Sequence, residues 1–439
     1  MFGKFAALFI LAAGLFAAGR SFISYADARR APLPAELRIT NEPQWLAWAR
    51  REDNAIRARL RQGDLDSMVN LLLYGTSFTK QPRISMQGEG IAEASKSGVL
   101  RARVDDLVTG LRSPRDNERL VFLQNLLRSQ GIDVANPKQT GVFLFQNLQR
   151  VVEERRTLAQ RAATVGSSLF RDRGVSLDTR IIPDYSIEQT LRDLKQRGVL
   201  REGQVSRAAV IGPGLDFIDK NEASAYDYYP EQTVQPFALV DSLLRLRIAK
   251  ANAVRVSVLD ISSAVLDHLL QARERAAKGV GYTIQLPRDL GPPWPHQLLA
   301  YWKASGDQVG APVGPISPPS IFPGLESRAV RIRPDVVLAC KPIDLDIVFE
   351  RLNLAGPDRF DLVVATNVFV YYDAFEQALA LENAGAMLKP GGLLLTNDRL
   401  PVTSASSMQL AGNTDVSFDS PAGSPGVSSR QSVEWYRKR

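Results

Sequence analysis

Cysteine and histidine are scarce in this chain of 439 residues. Its single cysteine, Cys340, excludes an internal disulfide and any zinc site built from cysteines. The two histidines, His268 and His296, are too few for a histidine-rich metal site, and no bound metal is expected. A Ser-His-Asp type of catalytic triad is open only if one of these two histidines serves in it.

The chain also lacks a dense run of lysine and arginine interleaved with aromatic residues, so the sequence gives no strong signal for nucleic-acid binding. Its formal net charge is nevertheless +7. That excess suits an anionic partner or a membrane surface, or it reflects arginines on solvated helix faces. With 45% apolar and 23% charged residues, the chain is predicted to be globular and long enough for two or three domains.

The first 30 residues are predicted to be a signal peptide or a membrane anchor. Residues 5–18 are almost entirely apolar, which is short for a bilayer span. Ala26-Asp27-Ala28 fits the small-x-small pattern of a cleavage site, and cleavage at Ala28 would lead to export. Three arginines flank the apolar run and favour an uncleaved anchor with the rest of the chain in the cytoplasm, because positive flanks tend to remain there. They are Arg20, Arg29 and Arg30.

Residues 31–200 are predicted to form a helical N-terminal domain, or a helical segment packed on the domain that follows. Apolar residues recur there at the 3.6-residue spacing of amphipathic helices. The segments with this spacing begin near Glu42, Asp66, Glu118, Phe143 and Ser186.

From residue 201 to residue 439 the pattern is that of an α/β domain. Short apolar runs alternate with helical segments, which is typical of a parallel sheet with helical crossovers. The runs are 208–211, 254–259, 336–339, 360–365 and 392–396. Residues 279–328 are rich in proline and glycine and too long for an ordinary connection, so they are predicted to be an inserted lid or interaction loop. Residues 432–439 are predicted to be a final edge strand.

The most informative segment is residues 207–219, with the sequence R-A-A-V-I-G-P-G-L-D-F-I-D. An apolar strand ends there in Gly212, Pro213 and Gly214, and glycines allow the backbone to approach a ligand closely. A dinucleotide-binding motif would have a third glycine where this chain has Phe217, which counts against an NAD- or FAD-dependent oxidoreductase. The G-x-x-x-x-G-K-[ST] pattern of a P-loop is also missing from this turn.

An acidic residue, Asp260, closes the next predicted strand. A carboxylate at that position can accept hydrogen bonds from the two hydroxyls of a ribose. Alternatively, Asp260 caps the helix that starts near Ser262. It lies 46 positions after Gly214, more than the roughly 20 of a compact unit. The surplus is a loop at 220–235 with three tyrosines, which is placed to fold over a ligand.

Taken together, residues 207–399 resemble the class I S-adenosylmethionine-dependent methyltransferases. The matching motifs are Gly212-Pro213-Gly214, the acidic Asp260, the fourth-strand motif F-D-L-V-V-A-T-N at 360–367, and the turn L-K-P-G-G-L-L-L at 388–395. The segment T-N-V-F-V-Y-Y-D at 366–373 is also similar to the chemotaxis-receptor branch of these enzymes.

The resemblance implies a fold and a set of cofactor-binding residues. The expected fold is a Rossmann-like seven-stranded, mostly parallel sheet with the last strand antiparallel, preceded by an all-α region. The expected cofactor is S-adenosyl-L-methionine, which would lie across the carboxyl ends of strands one to four. By motif match, the glycine turn would face its methionine part and Asn367 would lie beside the methyl group or the methionine end. Asp260 and the adjacent Ile261 would bind the ribose side, and Asp344 would contact the adenine.

Two departures from the family pattern concern the first motif. Val210 stands where the family often has an acidic residue, and Asp216 replaces the third glycine. Asp216 could take over the missing acid and bind the amino end of the cofactor, or it could mark a site that no longer binds cofactor.

Two functions therefore stay open. One is methyl transfer from S-adenosylmethionine to an unidentified acceptor. The other is a non-catalytic binding or scaffold protein built on a degenerate methyltransferase domain. No catalytic base is assigned, since packing or helix capping also accounts for the four candidates, Tyr371, Tyr372, Asp373 and His296.

Overall fold

The computed structural model describes residues 19–86, 88–161, 181–220, 222–291, 294–417 and 430–439, so the apolar segment 5–18 lies outside the described residues. The helices are α1 Tyr25–Ala28, α2 Glu42–Tyr74, α3 Gly90–Lys96, α4 Val99–Arg112, α5 Glu118–Ser129, α6 Pro137–Arg161, α7 Ile181–Gln196, α8 Gln235–Arg245, α9 Ser263–Ala277, α10 His296–Ala304, α11 Pro334–Ala339 and α12 Ala374–Met387. The strands are β1 Arg20–Phe22, β2 Arg207–Ile211, β3 Arg255–Asp260, β4 Tyr282–Asp289, β5 Gly310–Val313, β6 Leu325–Ile332, β7 Cys340–Asp344, β8 Glu350–Leu352, β9 Phe360–Ala365, β10 Leu388–Thr396, β11 Met408–Ser417 and β12 Arg430–Lys438.

The centre of the molecule is a seven-stranded sheet with the order β11-β12-β10-β9-β2-β3-β7. In chain order its strands read 6-7-5-4-1-2-3, and β12 runs antiparallel to both of its neighbours. The pairs between β7, β3, β2, β9 and β10 are all parallel. This arrangement confirms the predicted Rossmann-like sheet of the methyltransferase type, with its antiparallel last strand and a helical region before it. The chain reverses its direction of travel across the sheet between β2 and β9, where such sheets form a crevice for ligands.

Strand β2 lies at the middle of the sheet and is buried on both faces. Its residues alternate between two hydrophobic cores, because successive side chains of a strand point to opposite sides. Ala208 and Val210 face one core, while Ala209 and Ile211 face the other. Helices α4, α5, α7 and α9 supply residues to the first core, and α12 supplies residues to the second.

Helix α2 belongs to both cores. The side chain of Asn41 caps its first turn by accepting a hydrogen bond from the Gln44 amide, and the helix continues for 33 residues, about 50 Å. Its first half buries Trp45 and Ile56 in the second core, and its last two turns bury residues such as Leu72 in the first. The helix therefore passes from one side of the sheet to the other.

The residues just before α2 are also part of the folded structure. Strand β1 pairs with β8, and Ile23 and Ala28 are fully buried. The indole nitrogen of Trp45 donates a hydrogen bond of 2.6 Å to the Ile23 carbonyl. No helix in the described part of the chain is both long and apolar enough to cross a membrane.

Two predictions about individual segments were wrong, and a third segment, predicted as an inserted lid or loop, has secondary structure of its own. Residues 336–339 form most of helix α11 rather than a strand, because a four-residue apolar run does not separate the two states and Pro334 opens a helical turn. Residues 432–439 do not form the edge strand, since β11 pairs outside β12. Residues 279–328 are not simply a loop, because they contain β4, α10, β5 and the first half of β6, and β4, β6 and β5 make a separate antiparallel sheet.

Candidate functional site

A cavity of about 380 Å³ opens where the central strands end. The turns after β2, β3, β7 and β9 contribute to its wall, together with Leu60 from the middle of α2. Six residues that the sequence analysis assigned to cofactor binding line this cavity. They are Gly212, Pro213, Gly214, Asp260, Ile261 and Asn367.

The turn after β2 needs glycine for two reasons. Gly212 and Gly214 have φ angles of +60° and +72°, in the left-handed region that favours glycine. A Cβ on Gly212 would also lie 2.7 Å from Cγ2 of Val368, which belongs to the turn after β9. The two turns are therefore in close contact, and residues 212–214 line one side of the cavity.

We expect Gly212→Ala to destabilise the protein by about 2–4 kcal/mol, from backbone strain together with the clash at Val368. Gly98 provides the matched control, since its φ is +79° and a Cβ there would meet nothing within 4 Å. Gly98→Ala should cost only about 1–2 kcal/mol. Urea unfolding of both variants measures the difference, and equal losses would contradict the close contact between the two turns.

Asp260 lies at the tip of β3 and is partly exposed to the cavity. Its Oδ1 accepts a hydrogen bond of 2.8 Å from the amide of Ser262. Ser262 is itself the N-cap of α9, so Asp260 fixes the turn without satisfying the free amides of the first helical turn. Burial raises the pKa of its carboxyl to about 7. The carboxyl therefore has a structural partner and also lies at the cavity.

Asn367 follows β9 and has a φ of +58°, which is uncommon for a residue other than glycine. Its amide donates to Oδ1 of Asn397 at 2.8 Å, and Nδ2 of Asn397 donates to its Oδ1 at 2.6 Å. Backbone strain of this kind is concentrated at functional sites. The reciprocal pair joins the ends of β9 and β10 at the cavity wall.

Several residues of this wall were not predicted from the sequence, above all Asp398. Burial raises the pKa of the Asp398 carboxyl to about 6, and its buried Oδ2 has no hydrogen-bond partner among the described residues. Lys220 and Gln235 also line the cavity, and Nε2 of Gln235 donates to the Thr366 hydroxyl at 2.6 Å. Asp398 lies two positions after Thr396, the last residue of β10. Because β10 runs parallel to its neighbour β9, this position is at the carboxyl edge of the sheet, and that is the signal that could have identified it.

Among the four residues considered as bases, Asp373 is a helix cap. Its carboxylate accepts from the Glu376 amide at 2.8 Å, and Glu376 accepts from the Asp373 amide in return, which is a capping box. Tyr371 and Tyr372 line the cavity, but burial raises the pKa of Tyr372 well above its ordinary value. His296 is exposed at the start of α10 and lies outside the cavity wall.

Asp344 does not line this cavity, contrary to its predicted role at the adenine. It pairs with Asp260 across β3 and β7 in backbone register, but its carboxylate turns to two arginines. Nη1 of Arg57 lies 2.8 Å from Oδ1, and Nη1 of Arg20 lies 3.1 Å from Oδ2. The apolar side chains of Leu345 and Ile347 line the cavity in its place.

Asp216 is also absent from this cavity, contrary to its predicted role at the amino end of the cofactor. Its Oδ2 accepts hydrogen bonds from the Tyr229 hydroxyl at 2.8 Å and from Nε2 of Gln232 at 3.0 Å. These bonds hold the side chain toward the 220–235 loop, where it lines a different cavity.

No protein-family model matches the sequence, and no curated protein matches it. Solved structures do match. The N-methyltransferase NodS from Bradyrhizobium japonicum WM9, in complex with S-adenosyl-L-homocysteine, is 14% identical, with 65% of this chain and 98% of that chain covered and a TM-score of 0.28. A TehB-like SAM-dependent methyltransferase from Corynebacterium glutamicum is 11% identical, with 66% and 97% covered and a TM-score of 0.26. The glycopeptide N-methyltransferase MtfA, complexed with S-adenosyl-L-methionine, is 14% identical, with 57% and 66% covered and a TM-score of 0.22.

Proposed function

We propose that this chain binds S-adenosyl-L-methionine in the 380 Å³ cavity and transfers its methyl group to an acceptor. The observation that carries the proposal is the meeting of the glycine turn and Asp260 at one cavity, at the carboxyl ends of adjacent parallel strands. A backbone without side chains next to a carboxylate suits a nucleoside that carries a polar tail. The volume lies within the range of small-molecule pockets.

The lining residues divide according to the parts of this cofactor. The Asp260 carboxylate would accept hydrogen bonds from the ribose hydroxyls. Ile261, Leu345 and Ile347 supply an apolar surface for the adenine beside it. The backbone of Gly212 and Gly214 and the polar atoms of Asn367 would then face the methionine end.

The methyl group of the cofactor is attached to a positively charged sulfur and is already activated for transfer. The protein has mainly to align the acceptor, since orientation alone supplies a large part of the rate. Asp398 lines the cavity and could take a proton, because a carboxyl with a pKa of about 6 is mostly ionised at neutral pH.

A non-catalytic binding or scaffold protein stays the second candidate. It is favoured by the position of Asp216, which leaves the turn after β2 without an acidic side chain at the cavity. The resemblance of residues 366–373 to the chemotaxis-receptor branch also stays a prediction.

Calorimetric titration of the full chain tests the proposal. We expect S-adenosylmethionine and its demethylated product to bind with a micromolar Kd and to raise the melting temperature. Absence of both heat and thermal shift, for both compounds, would overturn it. Binding of both compounds without methyl transfer to any acceptor class would favour the scaffold function.

Adenosine binding is expected to strengthen about tenfold between pH 6 and pH 8. The ribose hydroxyls donate to Asp260, so they bind its ionised form, which predominates only above a pKa of about 7. The pH dependence of folding stability has the opposite sign. Because the pKa of Asp260 is raised in the folded protein, this residue lowers the free energy of unfolding as the pH rises from about 4 to about 7. Titrations at several pH values measure the effect. In Asp260→Asn the dependence should disappear, and a dependence that persists would assign it to another group.

For localisation, we propose that the N-terminal segment is retained and that the domain faces the cytoplasm, where the cofactor is made. Two observations support retention. Cleavage after Ala28 would remove strand β1, which pairs with β8, and the fully buried Ile23. It would also remove Asp27, whose carboxylate lies 2.5 Å from Nη2 of Arg351.

A further inference from the structure

A second cavity of about 330 Å³ lies near the one assigned to the cofactor. Its wall combines three carboxylates with three aromatic rings. These side chains belong to the segment after β2, to the 220–235 loop, and to the end of β4 and the segment after it. They are Asp216, Asp219, Asp289, Tyr226, Tyr229 and Trp294. The described residues of this wall include no lysine, arginine or histidine.

The two cavities adjoin along three segments of the chain. At the start of α7, Ile182 lines the second cavity and the next residue, Pro183, lines the first. Before α8, Val234 lines the second cavity and Gln235 the first. After β2, the first cavity ends at Gly214 and Asp216 belongs to the second. The same three segments therefore line both cavities, and Asp216 of the second cavity lies two positions after the glycine turn of the first.

Burial raises the pKa of the Asp216 carboxyl, and the charge of the nearby Arg119 partly offsets that rise. Arg119 is buried, and its guanidinium donates hydrogen bonds to backbone carbonyls, among them those of Tyr229 at 2.5 Å and Asp216 at 3.1 Å. Arg83 likewise donates to the carbonyls of Tyr74 and Ala225. Arg288 lies over the Trp294 ring and pairs with Glu326.

Two of these carboxylates, Asp216 and Asp289, keep acceptor capacity for a ligand. Both hydrogen bonds that described residues make to the Asp216 carboxylate fall on Oδ2, so Oδ1 is the oxygen available to a ligand. Asp289 uses Oδ1 for the Gly291 amide at 2.8 Å. A cavity whose described wall holds carboxylates and no basic side chain favours an organic cation and disfavours an anion.

We propose that the second cavity binds the methyl acceptor and that this acceptor presents an amine. The proposal rests on the proposed methyltransferase function. In the reaction the bound ammonium first releases a proton to water and becomes a neutral amine. The lone pair of its nitrogen then forms the new N–C bond while the C–S bond breaks, and that electron pair remains on sulfur. The methylated ammonium then keeps its proton or releases it to water.

The test measures charge preference in the full chain without cofactor, so it does not depend on methyl transfer. Three probes of similar shape are titrated at pH 7, namely the cation 2-phenylethylamine, the neutral 2-phenylethanol and the anion 3-phenylpropanoate. We expect the amine to bind at least fivefold more tightly than the alcohol and the anion to bind most weakly. Equal binding of the three probes, or preference for the anion, would overturn the proposal.

Two variants test whether the preference for the amine arises in this cavity. Asp289→Asn keeps an oxygen for the Gly291 amide but removes the charge, and it should lower the amine-to-alcohol preference at least threefold. Asp267→Asn, at an exposed position of α9 outside both cavities, should leave the preference unchanged. Equal preferences in the two variants would overturn the assignment to this cavity. If the amine preference holds but S-adenosylmethionine does not bind, the cation site stands and methyl transfer fails. If S-adenosylmethionine binds without any amine preference, the cation site fails and the cofactor site stands.

Discussion

Replacing Asp260 with alanine is expected to weaken S-adenosylmethionine binding by tenfold to a hundredfold, about 1.4–2.7 kcal/mol. The Asp260 carboxylate closes β3 and lines the cavity, and hydrogen bonds to a charged acceptor are each worth about 1.5–3 kcal/mol. Calorimetric titration of the variant against the unchanged chain measures the loss. Unchanged affinity in a folded variant would limit Asp260 to holding the turn at Ser262.

Two further variants separate the binding role from the structural one. Asp260→Asn can still accept from the Ser262 amide, so it should fold like the original chain yet bind less tightly. Asp373→Ala removes a helix cap outside the cavity wall. It should cost about 1 kcal/mol of stability and leave the cofactor affinity unchanged. Loss of affinity in Asp373→Ala would mean that binding responds to stability in general.

Removing residues 1–30 is expected to lower the melting temperature by about 3–7 °C. The deletion exposes the surface that Ile23 covers, worth about 1.5–3 kcal/mol, and leaves the buried Trp45 indole without its acceptor, worth about 1–3 kcal/mol. It also removes the two short elements β1 and α1, which pack against β8 and α2.

The comparison is between chains that begin at residue 19 and at residue 31. The longer chain keeps every described residue, while the shorter one loses β1 and α1. A point variant, Ile23→Ala, should fall between the two because it keeps the backbone acceptor for Trp45. Equal melting temperatures for the two chains would mean that this segment is dispensable, and would restore cleavage at Ala28 as a reasonable prediction.

The sequence predicted the positions of residues whose role follows from the backbone. An apolar run that ends in Gly-Pro-Gly needs positive φ angles after a buried strand, and a carboxylate that closes the next parallel strand must lie at the same edge of the sheet. Gly212, Gly214, Asp260 and Asn367 therefore line one cavity as expected.

The directions in which the side chains point could not be predicted from the sequence. Asp344 occupies the expected strand end, but arginines from α2 and from residue 20 hold its carboxylate away from the cavity. Asp216 turns to Tyr229 and Gln232, which lie 13 and 16 positions further along the chain. Both outcomes depend on contacts between segments whose relative positions no local pattern encodes.

The pairing of β1 with β8 also has a consequence for how the chain is made. Arg20 pairs with Leu352, so the strand partner of the first described residues is synthesised 332 positions later. At roughly 5–20 residues per second, the ribosome needs about 15–65 s to bridge that interval. During that interval Trp45 and its apolar neighbours lack their final packing partners, so we expect a chaperone to bind the growing chain.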